Sequence, residues 1–243
     1  PDLAAIAAEK AAIARPAIPL VLGDVPEEAL AVISAAADAA AAPLIRSEPI
    51  DLPPFLYLRG CEQERNGPVA ATLGRLWLRK CGREKDFGKF LAAMALARWP
   101  GRWDRRTVAG RQWIFDCTHN GAGLEVFRKN WQRLPSEERS SPTIVTGMLG
   151  LDRARDLLPH LASIAAELIL VHMNEERSVS TEELRALVPP SCRCRILTVE
   201  EQQLPEILPL LRGQPSAITG SIHLVGKAFA ALAIDPFAGE MVN

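Results

Sequence analysis

The stretch from Trp99 to Gly123, WPGRWDRRTVAGRQWIFDCTHNGAG, decides how the second half of the chain is expected to fold. Within it, the apolar run 113–115 is typical of a buried strand and ends abruptly at the polar residues that begin with Asp116. A helical pattern follows at 124–134, after two closely spaced glycines. Open α/β sheets bind ligands at the carboxyl ends of their strands. This polar strand end is therefore the first candidate for a functional site.

Downstream of that stretch, short apolar runs alternate with helical patterns. The apolar runs predict strands at 112–115, 143–148, 168–172, 195–197 and 216–219, and the patterns between and after them predict helices at 123–134, 153–166, 180–187, 200–211 and 224–233. Strands separated by helices in this way indicate a mainly parallel, Rossmann-like sheet. No G-x-G-x-x-G follows any of the strands, so a dinucleotide cofactor is not expected.

The first 98 residues show a similar alternation. Helices are predicted at 3–13, 26–42, 68–81 and 86–98, and strands at 18–22 and 44–50. Trp99-Pro100-Gly101 then breaks the helical pattern, and Pro-Gly between periodic segments is a plausible hinge. We therefore expect two domains, 1–98 and 99–243.

Charge and hydropathy exclude several classes of partner. A formal net charge of −1 and a pI near 6.5 leave no basic surface of the kind that binds nucleic acid. No apolar run reaches the roughly 18 residues that a membrane-spanning helix needs. The Ala-rich opening lacks the basic region of a signal peptide. We expect no nucleic acid and no membrane among the partners.

The cysteines favour a reducing compartment. There are five, an odd number, and none is arranged in paired C-x-x-C motifs. Cys192 and Cys194 lie on one face of an extended segment, but no histidine or second pair joins them. Reduced thiols of a cytoplasmic protein are therefore preferred over a zinc site or a disulfide.

Three stretches, in the same order along the chain, resemble motifs of one enzyme family. The run DCTHN at 116–120, preceded by Pro-Gly-Arg at 100–102, resembles the hinge and the strand end DGAHN; Cys117 and Thr118 depart from that pattern. IAAEKAAI at 6–13 looks like the family's EKAGI segment, and TGSIHLVG at 219–226 looks like its GSLYLVG segment. The family is folylpolyglutamate synthase/dihydrofolate synthase, a branch of the Mur ligases.

This resemblance implies a fold and an activity. Residues 1–98 would be the C-terminal part of a P-loop-type central ATPase domain, and residues 99–243 a Rossmann-like domain that binds glutamate. The implied enzyme is a monomeric, cytoplasmic, amide-forming ligase of folate biosynthesis and one-carbon metabolism. It uses ATP and Mg²⁺ to add L-glutamate to folate or dihydropteroate through an acyl phosphate. No G-x-x-x-x-G-K-[ST] occurs in the 243 residues, so the P-loop is expected upstream of Pro1 and the chain alone is expected to be inactive.

The resemblance gives Lys10 a catalytic role. In Mur-type ligases the lysine of the matching segment is commonly carbamylated, and the resulting carboxylate helps to hold a magnesium ion. The chemistry is coherent, because Mg²⁺ prefers oxygen ligands and a buried lysine with a lowered pKa reacts with carbon dioxide. The alternative is a solvated lysine at a helix end.

The resemblance assigns Arg102, Asp116 and Asn120 to nucleotide binding. An arginine contacts phosphate or ribose, and a carboxylate at a strand end accepts hydrogen bonds from ribose hydroxyls. The alternatives are a hinge salt bridge for Arg102 and a helix N-cap for Asp116.

Three further residues are assigned to glutamate by the same resemblance. His119 is expected to lie close to the transferred phosphate and the incoming glutamate, with a positioning and charge-stabilising role; its alternative is a helix-capping histidine. Thr219 and Ser221 close the last strand, where hydroxyls and a helix N-terminus bind a carboxylate.

Other positions depart from the family and keep rival functions open. Val69 stands where the family has an asparagine that contacts the nucleotide, and Asn66 lies one turn earlier. Arg153 stands where a lysine is usual. One rival is a Mur-type ligase acting on a peptidoglycan precursor. The other is a noncatalytic descendant that only binds a ligand.

Overall fold

A computed structural model describes residues 2–211 and 214–238, which divide into two compact units. The first unit runs up to Leu56 and includes Glu62–Ala97. The second contains Tyr57–Cys61 and the chain from Arg98 onward. The assignment of 1–98 and 99–243 to particular ligase domains stays a prediction.

The first unit is mainly helical, with a small parallel sheet. Its helices are α1 (Leu3–Ala11), α2 (Glu27–Ala39), α3 (Gln63–Lys80) and α4 (Phe87–Ala95), and its strands are β1 (Leu20–Leu22) and β2 (Leu44–Arg46). The strands pair in parallel, with Leu20 beside Leu44. Small alanines allow α1 and α2 to pack closely, and Ile33 is the large buried side chain between them.

The second unit is built around one six-stranded sheet. In chain order its elements are β3 (Asp104–Val108), β4 (Arg111–Phe115), α5 (Gly121–Gln132), β5 (Thr143–Thr146), α6 (Leu151–Ile164), β6 (Glu167–His172), α7 (Thr181–Ala186), β7 (Arg195–Glu200), α8 (Leu204–Ile207), β8 (Ser216–Thr219) and α9 (Ile222–Ala231). The strands lie side by side in the order β3-β4-β8-β5-β6-β7, and all except β3 are parallel. The prediction of an α/β fold with a mainly parallel sheet is confirmed.

Helices cover both faces of this sheet. Side chains of α5, α6 and α7 form one buried cluster with alternate strand residues such as Ile144 and Ala217. Side chains of α8 and α9 form the other cluster with Phe115 and Ile218. The neighbouring strands β4 and β8 therefore lead to helices on opposite faces, which makes their carboxyl ends a topological switch point.

Strand β3 was not predicted from the sequence. It forms an antiparallel hairpin with β4 through Ala109 and Gly110, which both have positive φ, of 50° and 75°. This is the backbone of a two-residue hairpin turn. The charged sequence of β3, DRRTV, has no apolar strand pattern, because an edge strand needs no continuous apolar face.

The predicted helix 200–211 is broken into three short pieces. A 3₁₀ turn (Glu201–Gln203), α8 and a second 3₁₀ turn (Leu208–Leu210) follow one another. Pro205 and Pro209 explain the breaks, since proline lacks the amide proton that continues a helix.

Three further features bear on function. Within residues 2–211 and 214–238, no helix combines the length and the apolarity needed to cross a bilayer. The same part of the chain contains no cluster of three His, Cys, Asp or Glu side chains that could hold a metal ion. All five cysteines are free thiols.

Truncation of Leu158 tests the core of the second unit. This α6 side chain is 0% exposed, so Leu158→Ala is expected to lower the free energy of unfolding by about 2–5 kcal/mol through lost burial and a cavity. Leu210 is 72% exposed, and Leu210→Ala should change the free energy of unfolding by less than about 0.5 kcal/mol. Urea unfolding followed by tryptophan fluorescence measures both, and equal losses would contradict the described packing.

Candidate functional site

The candidate site is the carboxyl edge of the second unit's sheet, where β4 and β8 end side by side. The loop after β4 carries residues 116–120, and the turn after β8 carries residues 219–221. Two backbone hydrogen bonds join these segments: Asp116 N donates to Ile218 O at 3.0 Å, and Gly220 N donates to Thr118 O at 3.0 Å. The structure thus brings the DCTHN and TGSIHLVG motifs together.

Asp116 is a buried carboxylate, 7% exposed, that organises this edge. Its Oδ2 accepts a hydrogen bond from Trp103 N at 2.9 Å. Its Oδ1 accepts from the backbone nitrogen of Thr118 at 2.9 Å and from the Thr118 hydroxyl at 2.5 Å. The N-cap alternative for Asp116 is not what the structure shows, because its carboxylate instead ties residue 103 to the end of β4.

The Pro-Gly-Arg segment packs directly on the same strand end. Gly101 O accepts a hydrogen bond from Cys117 N at 2.8 Å, and Gly101 has φ 74°. A Cβ at this position would lie 2.6 Å from Cys117 Sγ, so only glycine fits without movement.

Arg102 is exposed next to this packed segment. Its guanidinium makes no hydrogen bond or ion pair within residues 2–211 and 214–238, so the hinge salt bridge is not observed there. The side chain is available to an anionic ligand.

His119 is held in one tautomer by the backbone. Its Nδ1 lies 2.8 Å from Cys117 O, and a carbonyl oxygen only accepts, so Nδ1 carries the proton. In the neutral ring, Nε2 then has the free lone pair. The ring is half-buried and does not cap a helix, which leaves Nε2 for a ligand.

Asn120 and Ser221 are the N-caps of the two helices that leave the edge. Asn120 Oδ1 accepts from Gly123 N at 2.8 Å at the start of α5, and Ser221 Oγ accepts from His223 N at 3.1 Å at the start of α9. Both helix starts therefore face the edge with their positive dipole ends. Thr219 is the last residue of β8, and its side chain is buried.

Lys10 belongs to the first unit, in the last turn of α1. Its side chain is 72% exposed, and Nζ lies 2.6 Å from Glu9 Oε1. The burial that would promote carbamylation is not present, so the carbamate stays a prediction. Val69, also in the first unit, packs against Gly23, where an added Cβ would lie 2.9 Å from Val69 Cγ2.

Sequence reasoning missed three residues of the edge. Thr118 and Trp103 both donate hydrogen bonds to Asp116. No local pattern marks the contact with Trp103, which lies 13 positions away along the chain. Thr146 ends β5 beside Thr219. A hydroxyl at the end of the apolar run TIVT was the available signal.

Comparison with known proteins shows which fold this is. No protein-family model and no curated protein sequence matches the chain. Among solved structures, a Mycobacterium tuberculosis folylpolyglutamate synthase complexed with ADP and AMPPCP is 20% identical with a TM-score of 0.76, over 97% of this chain and 61% of that one. E. coli FolC in complex with DHPP and ADP is 22% identical with a TM-score of 0.73, over 96% and 57%. A bifunctional folylpolyglutamate synthase/dihydrofolate synthase from Yersinia pestis, complexed with AMPPNP and a Mn ion, is 19% identical with a TM-score of 0.67, over 96% and 57%.

The chain therefore has the fold of the C-terminal portion of folylpolyglutamate synthases. It spans about three fifths of the length of these solved structures. The resemblance seen in the three motifs is confirmed at the level of the fold.

The thiol of Cys117 makes a pH-dependent contribution to stability. Burial and the nearby charge of Asp116 raise its pKa to about 11, partly offset by Arg102. Between about pH 9 and 11 the unfolded chain releases this proton and the folded chain keeps it, so the free energy of unfolding should fall as pH rises through that window and be unaffected below it. Urea unfolding of the wild type and Cys117→Ala across pH 8–11 measures this; a difference between them that does not change with pH would refute it.

Proposed function

We propose that the chain is the carboxyl-terminal portion of an ATP-dependent ligase that adds L-glutamate to folate or dihydropteroate through an acyl phosphate. The observation that carries the proposal is the meeting of the DCTHN and TGSIHLVG segments at the switch point of the sheet. Support also comes from neighbours that share the fold and were solved with ADP, AMPPCP and DHPP. Cytoplasmic location and a monomeric state are part of the same proposal.

The geometry supports a role for the edge in holding the amino acid and the developing charge. His119 Nε2 has a lone pair when the ring is neutral and a proton when it is charged, so it can orient the amine or stabilise the phosphate. Ser221 and the start of α9 provide the hydroxyl and the helix dipole that suit a carboxylate. His119, Thr219 and Ser221 are thus proposed as the glutamate-binding residues.

The nucleotide is assigned to the Arg102 side of the same edge. The exposed guanidinium of Arg102 suits a phosphate or a ribose, and Asn120 places a side-chain amide at the start of α5. Asp116 accepts hydrogen bonds from the residue that follows Arg102, so we propose that it also positions this arginine. Its direct contact with ribose stays a prediction.

Magnesium is part of the proposed reaction, where it would neutralise phosphate charge. A Lys10 carbamate remains the proposed ligand. With Lys10 exposed and paired with Glu9, the described residues do not by themselves form a magnesium site, and no step is assigned to one.

A noncatalytic descendant is the second candidate, and Val69 favours it. A valine cannot replace the hydrogen bonds of the asparagine expected from the family resemblance. Binding of Mg-ATP without any glutamate incorporation would support this candidate. A Mur-type ligase would use a peptidoglycan precursor as the acceptor in place of folate or dihydropteroate.

The test is incorporation of labelled L-glutamate by the longest natural form of the protein that contains this chain. With Mg-ATP and a folate or dihydropteroate acceptor, we expect labelled product that depends on all three substrates. Product formed only with a peptidoglycan precursor would identify the Mur-type alternative, and no product with any acceptor would overturn the ligase proposal.

The 243 residues alone are expected to form no labelled product in this assay. They contain no G-x-x-x-x-G-K-[ST] sequence to hold the ATP phosphates. Circular dichroism serves as the control that the chain is folded. ATP-dependent incorporation by these residues alone would contradict the prediction.

Two substitutions separate the nitrogens of His119. His119→Gln places an amide near the Nε2 position, whereas His119→Asn places one near Nδ1 and keeps the bond to Cys117 O. Because Nε2 faces the ligand in the proposal, His119→Asn should lower kcat/KM by about 100-fold, and His119→Gln should lower it less. The reverse order would assign His119 a purely structural role.

A further inference from the structure

Three polar side chains lie beside one another across three neighbouring strands of the second unit. Thr146 of β5 is the register partner of Thr219 of β8. Phe115 of β4 is the partner of Ile218, so Asp116, the next residue, continues that register beside Thr219. Because side chains alternate along a strand, all three lie on the sheet face that α5 and α6 cover.

Two members of this row have unused hydrogen-bonding capacity. Thr146 and Thr219 are both 0% exposed, and neither Oγ1 has a hydrogen-bond partner within residues 2–211 and 214–238. A buried hydroxyl without a partner costs free energy, whereas valine has the same shape and no such cost. The fold alone therefore gains nothing from these hydroxyls. Buried polar groups that lower stability because they have no hydrogen-bond partner are typical of functional sites.

The row lies directly under the turn that connects β8 to α9. Gly220 in that turn has φ 101°, and a Cβ there would lie 2.4 Å from Thr146 Oγ1. The same glycine donates its N–H to Thr118 O. The Thr146 hydroxyl thus lies against a glycine that has no side chain and is hydrogen-bonded to a loop of the candidate site.

The negative charge of Asp116 and the two hydroxyls determine which ligand group the row can bind. Asp116 contributes a carboxylate at one end, and Thr146 and Thr219 contribute hydroxyl oxygens that accept hydrogen bonds. A second carboxylate beside Asp116 would be repelled, while an ammonium group would be attracted and can donate to both hydroxyls.

We propose that Thr146 and Thr219 bind the amino group of the incoming amino acid, beside Asp116. The inference rests on the proposed function and assigns a binding role to Thr146. The carboxylate of the same amino acid would then bind toward Ser221 and the start of α9.

Thr146→Val in the longest natural form of the protein tests this assignment through two constants. The KM for L-glutamate should rise about 10-fold, as expected for one lost hydrogen bond to a charged group. The inhibition constant of glutarate, which has the carboxylates of glutamate but no amine, should be unchanged. The melting temperature should stay the same or rise, because a partnerless hydroxyl has been removed.

Two further variants make the test specific. Thr143→Val makes the same change at the amino end of β5, where the side chain is also 0% exposed, and should leave both constants unchanged. Thr146→Ser keeps the hydroxyl and should restore the KM to within about threefold of the wild type.

The outcomes distinguish this inference from the proposed function. A wild type that incorporates glutamate, with an unchanged KM in Thr146→Val, would overturn this inference alone. Equal weakening of glutamate and glutarate would overturn the assignment of the amine. No incorporation by the wild type would overturn the proposed function and, with it, the inference that rests on it.

Discussion

The buried carboxylate of Asp116 is the interaction on which the edge of the second unit depends. It accepts hydrogen bonds from Trp103 N, Thr118 N and the Thr118 hydroxyl, and thereby joins the segment before the hairpin to the end of β4. Without it, those donors would be left unpaired in a buried place, at a cost of about 1–3 kcal/mol each. The positions of Arg102 and His119 on either side follow from this contact.

The sheet topology then gives that edge its character. Helices that follow β4 and β8 leave toward opposite faces, so the ends of these two strands lie at a topological switch point. The loops that remain carry two helix caps, one histidine with a fixed tautomer and a row of polar strand residues. Such an edge suits a ligand that has both an anionic and a cationic group, as an amino acid does.

The proposal for Thr146 and Thr219 implies that stability and binding compete at the same residues. Its two core clusters are built from fully buried aliphatic and aromatic side chains, which supply most of the folding free energy. The hydroxyls of Thr146 and Thr219 contribute nothing to that core. Their presence among apolar neighbours is explained if they are used when a ligand binds.

The amino-acid sequence by itself determined the fold class and the order of most of the elements. Apolar runs such as 113–115 and 216–219 identify strands because burial of a continuous apolar segment is a local requirement, readable from one stretch of chain. The motifs at 116–120 and 219–226 also indicated which strand ends carry the candidate site. Strand β3 was not predicted, because its charged residues suit an edge position and only the complete sheet shows which strand lies at the edge.

Only the tertiary structure decided which polar groups meet. Asp116 was expected to cap a helix or bind a nucleotide, yet its partners include Trp103, which lies across a hairpin. Thr146 and Thr219 are 73 residues apart and become neighbours because β8 inserts between β4 and β5. Hydrogen bonds of this kind depend on the register between distant strands, and a local sequence pattern contains no information about that register.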